Sequence, residues 1–247
     1  MYPIGVCSIA FRHLNVEQII DAAEKAGLSF IEWGSDIHAP KDDLENIDRI
    51  RELTEAAGLR CSSYGAYFRI DRDEVSDIYG YITAAKRLGT NVIRIWCPGN
   101  PAAISEEEKI RRFTVCRELA KIAEAEGVVL CAECHSANLT DNARSSLEFM
   151  QAVDSPAFRM YWQPNENFTF EENVAFASAV APYVTNVHVF YWEGSIRHPL
   201  ADAEDAWANY IRELGKEHTF LLEHMPNDDE TLLPREADTL RSILTNA

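Results

Sequence analysis

No stretch of this chain approaches the roughly twenty consecutive apolar residues that a membrane-spanning helix requires, so a helical membrane protein is excluded. The N-terminus, MYPIGVCSIAFRH, carries no basic segment ahead of an apolar one, and no signal peptide is read there. Positive charge is scarce. Lys and Arg number 23 against 40 Asp and Glu, a net charge of −17 that repels phosphate backbones, and no basic stripe overturns it. Neither nucleic acid nor membrane is therefore expected as a partner. The six cysteines lack the spacing of a disulfide scaffold. Cys131 and Cys134 form a CxxC, but in a strand residues three apart point to opposite faces, against a shared metal or bridge. Reduced thiols in a cytoplasmic protein are the expectation. Also missing are linkers, low-complexity runs and a glycine-rich phosphate turn: VCSIAFRH, at the first strand, has none, which argues against a doubly wound nucleotide-binding sheet.

What the chain does contain is one repeated unit, an apolar strand, a polar loop, an amphipathic helix and a glycine. Ile4 to Ile9, Phe30 to Trp33, Leu59 to Tyr64 and Asn91 to Trp96 read as the first four strands. Helices follow over Val16 to Ala26, Leu44 to Ala57, Glu74 to Leu88 and from Ser105, with Asn15 as a cap and Ser105–Glu108 as a capping box. Glycines 27, 58, 89 and 127 end them, and AGLSFIEWG, AGLRCSSYG, LGTNVIRIW and EGVVLCAEC align at those stops. The second half continues with strands at Val128 to His135, Phe158 to Trp162, Thr185 to Phe190 and His218 to Leu222. Its helices are Ala143 to Val153, Phe170 to Ala179, Glu204 to Leu214 and Pro234 to Leu244. Eight strand–helix units in 247 residues predict an α/β fold, a single-domain (β/α)8 TIM barrel over residues 1–247.

Barrels of this type carry their chemistry where the strands end. The fifth strand, VVLCAECH, ends in Glu133 and His135, which alternation places on one face with Cys131 beneath. Gln163 ends the sixth strand, His188 lies in the seventh and Glu223 ends the eighth. A single His or Glu at a strand tip is usually a satisfied polar group. Four adjacent strands repeating the pattern instead suggest oxygen and nitrogen donors converging on one divalent cation. Arg94 and Trp96 alternate on the fourth strand. Arg94, on a buried strand, needs a partner, for which Glu32 is the candidate, and Trp96 could stack on a sugar face. Tyr64, Tyr67, Trp162, Asn165 and Trp192 are candidates for pocket wall, while Trp207 reads as helix packing.

The segments FIEWGSDIHAP, CSSYGAYFR, VIRIWCPG, AECHSANLTDN, YWQPNEN, NVHVFYWEGSIRHPL and FLLEHMPND, in this order, resemble the strand ends of the xylose isomerase-like barrels, specifically their sugar phosphate isomerase/epimerase group. The resemblance runs almost end to end. It implies a divalent-metal-dependent sugar or sugar phosphate isomerase or epimerase, with Mn2+ or Mg2+ as cofactor, or else Zn2+ or Co2+. It implies Glu133, Gln163, His188 and Glu223 as metal ligands, with Glu133 and Glu223 also passing a proton through an enediolate. Gln163 departs from the aspartate usual in that group and removes one negative charge from the site. His135, Arg197 and His38 are further candidates for substrate binding, alongside Trp96, Tyr64 and Asn165. The partner implied is a small carbohydrate, and homo-oligomerisation is left open.

Three other readings compete. An abasic-site endonuclease shares the barrel but needs histidines on strands three, four and six, which SSYG, RIW and WQPN lack, and an Asp-x-His pair after strand seven, which EGSIRH lacks. A polyol or inosose-type dehydratase would use the same site. Gln163 also leaves room for a sugar-binding barrel without turnover.

Overall fold

The computed structural model describes residues 2–247. Eight parallel strands close into a barrel: β1 (Ile4–Cys7), β2 (Phe30–Gly34), β3 (Arg60–Arg69), β4 (Val92–Trp96), β5 (Val129–Glu133), β6 (Phe158–Trp162), β7 (Val184–Val189) and β10 (Thr219–Leu222). Each hydrogen-bonds its neighbour in sequence order, and β10 closes the ring against β1 through the register Gly5↔Leu221. A two-stranded hairpin, β8 (Trp192–Glu193) and β9 (Ile196–Arg197), rises from the loop after β7. The sequence reading does not anticipate it, because strands two residues long carry no usable period.

Eight helices surround the barrel: α1 (Val16–Lys25), α2 (Leu44–Ala56), α3 (Ile78–Leu88), α4 (Glu106–Glu126), α5 (Ala143–Val153), α6 (Phe170–Val180), α7 (Glu204–Leu214) and α8 (Leu233–Asn246). Their starts are set by side-chain caps. Asn15 and Gln18 form a reciprocal capping box at α1, and Thr169 with Glu172 does the same at α6. The box expected at α4 is only half made. Ser105 Oγ accepts from the Glu108 N–H at 3.2 Å, but Arg112 and Arg111 take the Glu108 carboxylate. None of the described helices is long and apolar enough to cross a membrane.

The outer faces of the strands pack apolar side chains against the helices. Trp33 donates from Nε1 to Thr54 on α2, and Trp162 meets Phe176, Trp207 and Tyr210 edge-on. The barrel interior is more polar than a packing argument would place there. Tyr161 OH donates to Glu32 Oε2 at 2.9 Å, Ser63 Oγ donates to the same oxygen at 2.7 Å, and Asn186 Nδ2 reaches the Tyr161 hydroxyl at 2.7 Å. These residues come from β2, β3, β6 and β7, so one hydrogen-bonded layer spans the barrel. It forms the floor on which the strand-end residues stand.

Among the boundaries that shift, two bear on the site. Ile4 to Ile9 was expected as one strand, but β1 stops at Cys7 and Ser8–Phe11 winds into a 3-10 turn. The third strand runs on to Arg69, with register shifts on both sides of Ser63–Gly65. Those shifts put Ser63 and Gly65 inward and Tyr64 outward.

Candidate functional site

At the upper end of the barrel, Glu133 closes β5, Gln163 follows β6, His188 lies in β7 and Glu223 follows β10. All four are buried, His188 completely. Around His188 Nδ1 stand three oxygens from three strands: Gln163 Oε1 at 3.0 Å, Glu223 Oε2 at 3.4 Å and Glu133 Oε1 at 3.5 Å. The ligating atoms of Glu133, His188 and Glu223 all lie within 4.8 Å of one another. Four residues far apart in sequence are thus brought together, because each lies at or next to the C-terminal end of its strand.

The other ring nitrogen, His188 Nε2, faces Glu32 Oε1 at 3.5 Å. Among the described residues, neither atom has a hydrogen-bond partner within ordinary distance. A carboxylate behind an imidazole favours the tautomer with hydrogen on the near nitrogen and the lone pair on the far one, an arrangement recurrent in metal sites. Here the far nitrogen is Nδ1, and a lone pair facing three oxygens is repulsive unless a cation or a proton sits among them. The fit extends to charge. Glu32, Glu133 and Glu223 contribute three negative charges, Arg94 contributes one positive, and with neutral His188 the remainder matches one divalent ion. Two carboxylates, an amide oxygen and an imidazole are a donor set suited to Mn2+, Mg2+ or a related ion.

Arg94 organises this end of the barrel. Its Nη1 donates to Glu133 Oε2 at 2.5 Å and its Nε lies 3.5 Å from Glu32 Oε1, with all three side chains buried. The sequence paired Arg94 with Glu32; barrel closure adds Glu133 as the nearer partner. The rings of Tyr67 and Trp96 stand 5.5 and 5.4 Å from the guanidinium carbon and hold it by cation–π attraction. Gly65 leaves room beside it: a Cβ there would lie 3.0 Å from Arg94 Nη2 and 3.1 Å from Glu32 Oε1, close enough that the ion pair would have to shift.

Titration follows from these contacts. Burial pulls the Glu32 carboxyl up, but His188, Arg94 and Ser63 outweigh it and hold the group at about 2. Burial likewise opposes ionisation of Glu133, and Arg94 and His188 again bring it below the usual carboxylate range. Burial disfavours a charged His188, yet Cys7, Glu223 and Glu133 raise it well above the ordinary 6.5. Without metal, then, a proton occupies Nδ1, and an incoming cation must displace it. Mn2+ affinity is therefore expected to climb with pH through and beyond neutrality. The His188 contribution to metal-free stability is complete below about 6.5 and is lost as pH rises through the raised value. Calorimetric Mn2+ titrations and melting curves across this range check both trends; an affinity flat with pH would refute the proton–metal exchange.

A cavity of about 170 Å³ opens above these groups. Trp96, His135, Gln163, Glu133, Glu223, Tyr67 and Trp192 line it. His135 lies beyond the end of β5 and is exposed, its ring 5.0 Å from that of Trp96. Five candidates lie elsewhere. His38 is buried with Nδ1 at Ser8 Oγ and Nε2 at the Leu14 carbonyl, both 3.1 Å, tying loops together behind the site. Tyr64 points outward, its hydroxyl donating to the Ala39 carbonyl. Asn165 braces its own loop by donating to Asp141. Arg197 pairs with Asp228 and lies over Trp192, bracing that ring rather than lining the cavity. Trp162, expected in the wall, packs outward beneath α6 and α7.

Sequence reasoning missed Arg12, Glu166 and His224, which also line the cavity. Arg12 is fixed at the rim by Asp36 at 3.0 Å and the Tyr67 hydroxyl at 2.7 Å. His224 stacks on Trp192 at 4.7 Å, with Nε2 3.6 Å from Glu223 Oε2. Its position directly after Glu223, where strand alternation ends, was the available signal.

Comparison with curated proteins gives no match. Among solved structures the chain is similar to the probable 3-DHS dehydratase AsbF of Bacillus anthracis, at TM-score 0.81 and 18% identity over 97% of this chain and 98% of that one. It is also similar to D-psicose 3-epimerase of Clostridium cellulolyticum H10, crystallised with D-tagatose, at TM-score 0.73 and 15% identity over 98% and 99%. A third is a Mycobacterium smegmatis barrel in complex with magnesium, at 0.76 and 14% over 100% and 97%. At these identities the likeness establishes the fold alone. The sequence itself matches a family over residues 20–243, and on that ground the chain belongs to the xylose isomerase-like TIM barrels.

Proposed function

We propose that this protein is a divalent-metal-dependent isomerase or epimerase acting on a sugar, a sugar phosphate or a closely related polyhydroxylated carbonyl compound. The observation that carries the reading is the approach of three oxygens from three strands to His188 Nδ1 at the floor of a polar cavity. Glu133, Gln163, His188 and Glu223 would hold the ion, which when bound polarises a carbonyl and its neighbouring hydroxyl. The chain's own task is to move a proton. A hydrogen next to a carbonyl becomes transferable when the resulting enediolate is stabilised, and a carboxylate within reach removes it. Glu223 suits that role, since its neighbours within 4 Å are the imidazoles of His188 and His224 rather than a guanidinium. Delivery of a proton to the opposite face by a second group, across the carbon from Glu223, gives epimerisation, and return by Glu223 to the adjacent carbon gives isomerisation. Trp96 offers an apolar face for a sugar ring, and His135 beside it offers a hydroxyl partner.

One observation supports a second reading. Arg94 holds Glu133 as a fixed anion and makes it a poor base, leaving one freer carboxylate with two imidazoles, His135 and His224. One base with one acid is what elimination of water needs, so a polyol dehydratase is the alternative. Metal analysis followed by incubation with ketoses in deuterated water separates the readings. Bound metal with deuterium appearing beside the carbonyl supports isomerisation or epimerisation, whereas loss of water in the mass spectrum supports dehydration. Bound metal with neither outcome indicates a sugar-binding barrel, and exchange by metal-free protein overturns the metal-dependent mechanism.

A further inference from the structure

Beside the polar cavity lies a second one of about 250 Å³, between the loop preceding α6 and the start of α7. Its lining is of the opposite character, with seven aromatic rings, among them Phe168, Phe170, Trp207 and Tyr210. Several polar atoms at its edge are already engaged. The Asn173 amide accepts from the Asn165 N–H and donates to the Asn165 carbonyl, and Trp207 Nε1 donates to the Phe190 carbonyl at 3.0 Å. The two cavities share three lining residues, Glu166, Phe190 and Trp192. The apolar space, hereafter the annex, therefore adjoins the reaction cavity across a common wall. Apolar cavities of roughly 150 Å³ accommodate benzene, so this one is large enough for an aromatic ring. In the shared wall, Trp192 Nε1 is buried and has no acceptor among the described residues.

We infer that the substrate is not a bare sugar but a polyhydroxylated ring bearing an aromatic substituent, the ring over Glu223 and the substituent in the annex. This rests on the reading of the polar cavity as the reaction site. The aromatic group exchanges water for the rings of Phe168, Phe170 and Tyr210, a transfer favourable in proportion to the apolar area covered. Trp192 Nε1–H donates to the oxygen joining substituent and ring. A small unsubstituted ketose would leave the annex unfilled and that donor unmatched.

The test uses 4-fluorobenzyl alcohol as probe, followed by fluorine NMR on the full chain. Ala206 lines the annex, is half-buried and belongs to neither the ion site nor the polar cavity, so Ala206→Phe fills the space without removing a packed side chain. The probe is expected to bind the wild-type protein and to lose at least tenfold in affinity to Ala206→Phe, while Mn2+ uptake is unchanged. With Mn2+ bound, the fluorine resonance is expected to broaden, which places the annex next to the ion. Methyl and phenyl β-D-glucopyranosides are then compared, and the phenyl compound is expected to bind at least tenfold more tightly. No probe binding, equal affinity in wild type and variant, no broadening in Mn2+-loaded protein, or no preference for the phenyl glycoside would each overturn the inference. Failure to take up Mn2+ overturns the metal-site reading instead, and the Ala206 comparison then judges the annex by itself.

Discussion

Arg94→Met is expected to lower the melting temperature of the metal-free protein by roughly 6–20 °C. Arg94 is buried against two carboxylates, Glu133 at 2.5 Å and Glu32 at 3.5 Å. Removing one member of a buried ion pair typically costs ~3–5 kcal/mol, because the charge left behind has neither water nor partner. For a domain of this length each kcal/mol shifts the melting point by roughly 2–4 °C, which gives the range. Here the loss leaves three buried carboxylates, Glu32, Glu133 and Glu223, with no permanent cation among them. A divalent ion at His188 offsets part of that surplus, so Mn2+ is expected to raise the variant's melting point by more than it raises the wild type's. Methionine keeps much of the side-chain volume between Tyr67 and Trp96, which limits the effect to charge. A variant that melts within 2 °C of wild type would show that Arg94 is no keystone of this end of the barrel.

The same residue marks the boundary of what the sequence could say. The strand at Phe158–Trp162 and the helices at Ala143–Val153 and Glu204–Leu214 were legible to the residue, because periodicity and turn chemistry agree there. The convergence of Glu133, Gln163, His188 and Glu223 was legible too, since it needs only strand alternation and the rule that chemistry sits at the strand ends. A partner for Arg94 was expected, but not that Glu133 would be the nearer one. That contact depends on how closure sets β2, β4 and β5 around the axis, which no local pattern encodes. Tyr64 failed for a related reason: register shifts flanking Ser63–Gly65 invert the face it would otherwise present. His38, Asn165 and Arg197 sit in loops or a short hairpin, where no period constrains direction. The polar layer of Ser63, Tyr161 and Asn186 was invisible because its members look like ordinary strand residues until Glu32 is placed among them.

Glu223→Gln should separate chemistry from scaffold. Glu223 is 4% exposed, and its carboxylate has His188 and His224 nearby but no guanidinium. Its removal as a charge leaves no buried cation without a carboxylate, since Arg94 keeps both Glu133 and Glu32 and protonated His188 keeps the same two. The amide is isosteric, so the melting point of the metal-free variant is expected to stay within a few degrees of wild type. Proton exchange beside a substrate carbonyl is expected to fall by ~10²–10⁴-fold, the contribution of a positioned general base. Metal affinity should weaken as well, because the donor set drops from two carboxylates to one. Exchange measured at saturating Mn2+ isolates the loss of the base from the loss of the ion. Glu133→Gln provides the contrast: it also weakens metal binding, yet it takes from Arg94 its nearer counter-charge and is expected to lower the melting point as well. If Glu223→Gln exchanges protons at the wild-type rate with metal bound, Glu223 is only a ligand, and the base must be sought at His135 or His224, the imidazoles that share the cavity.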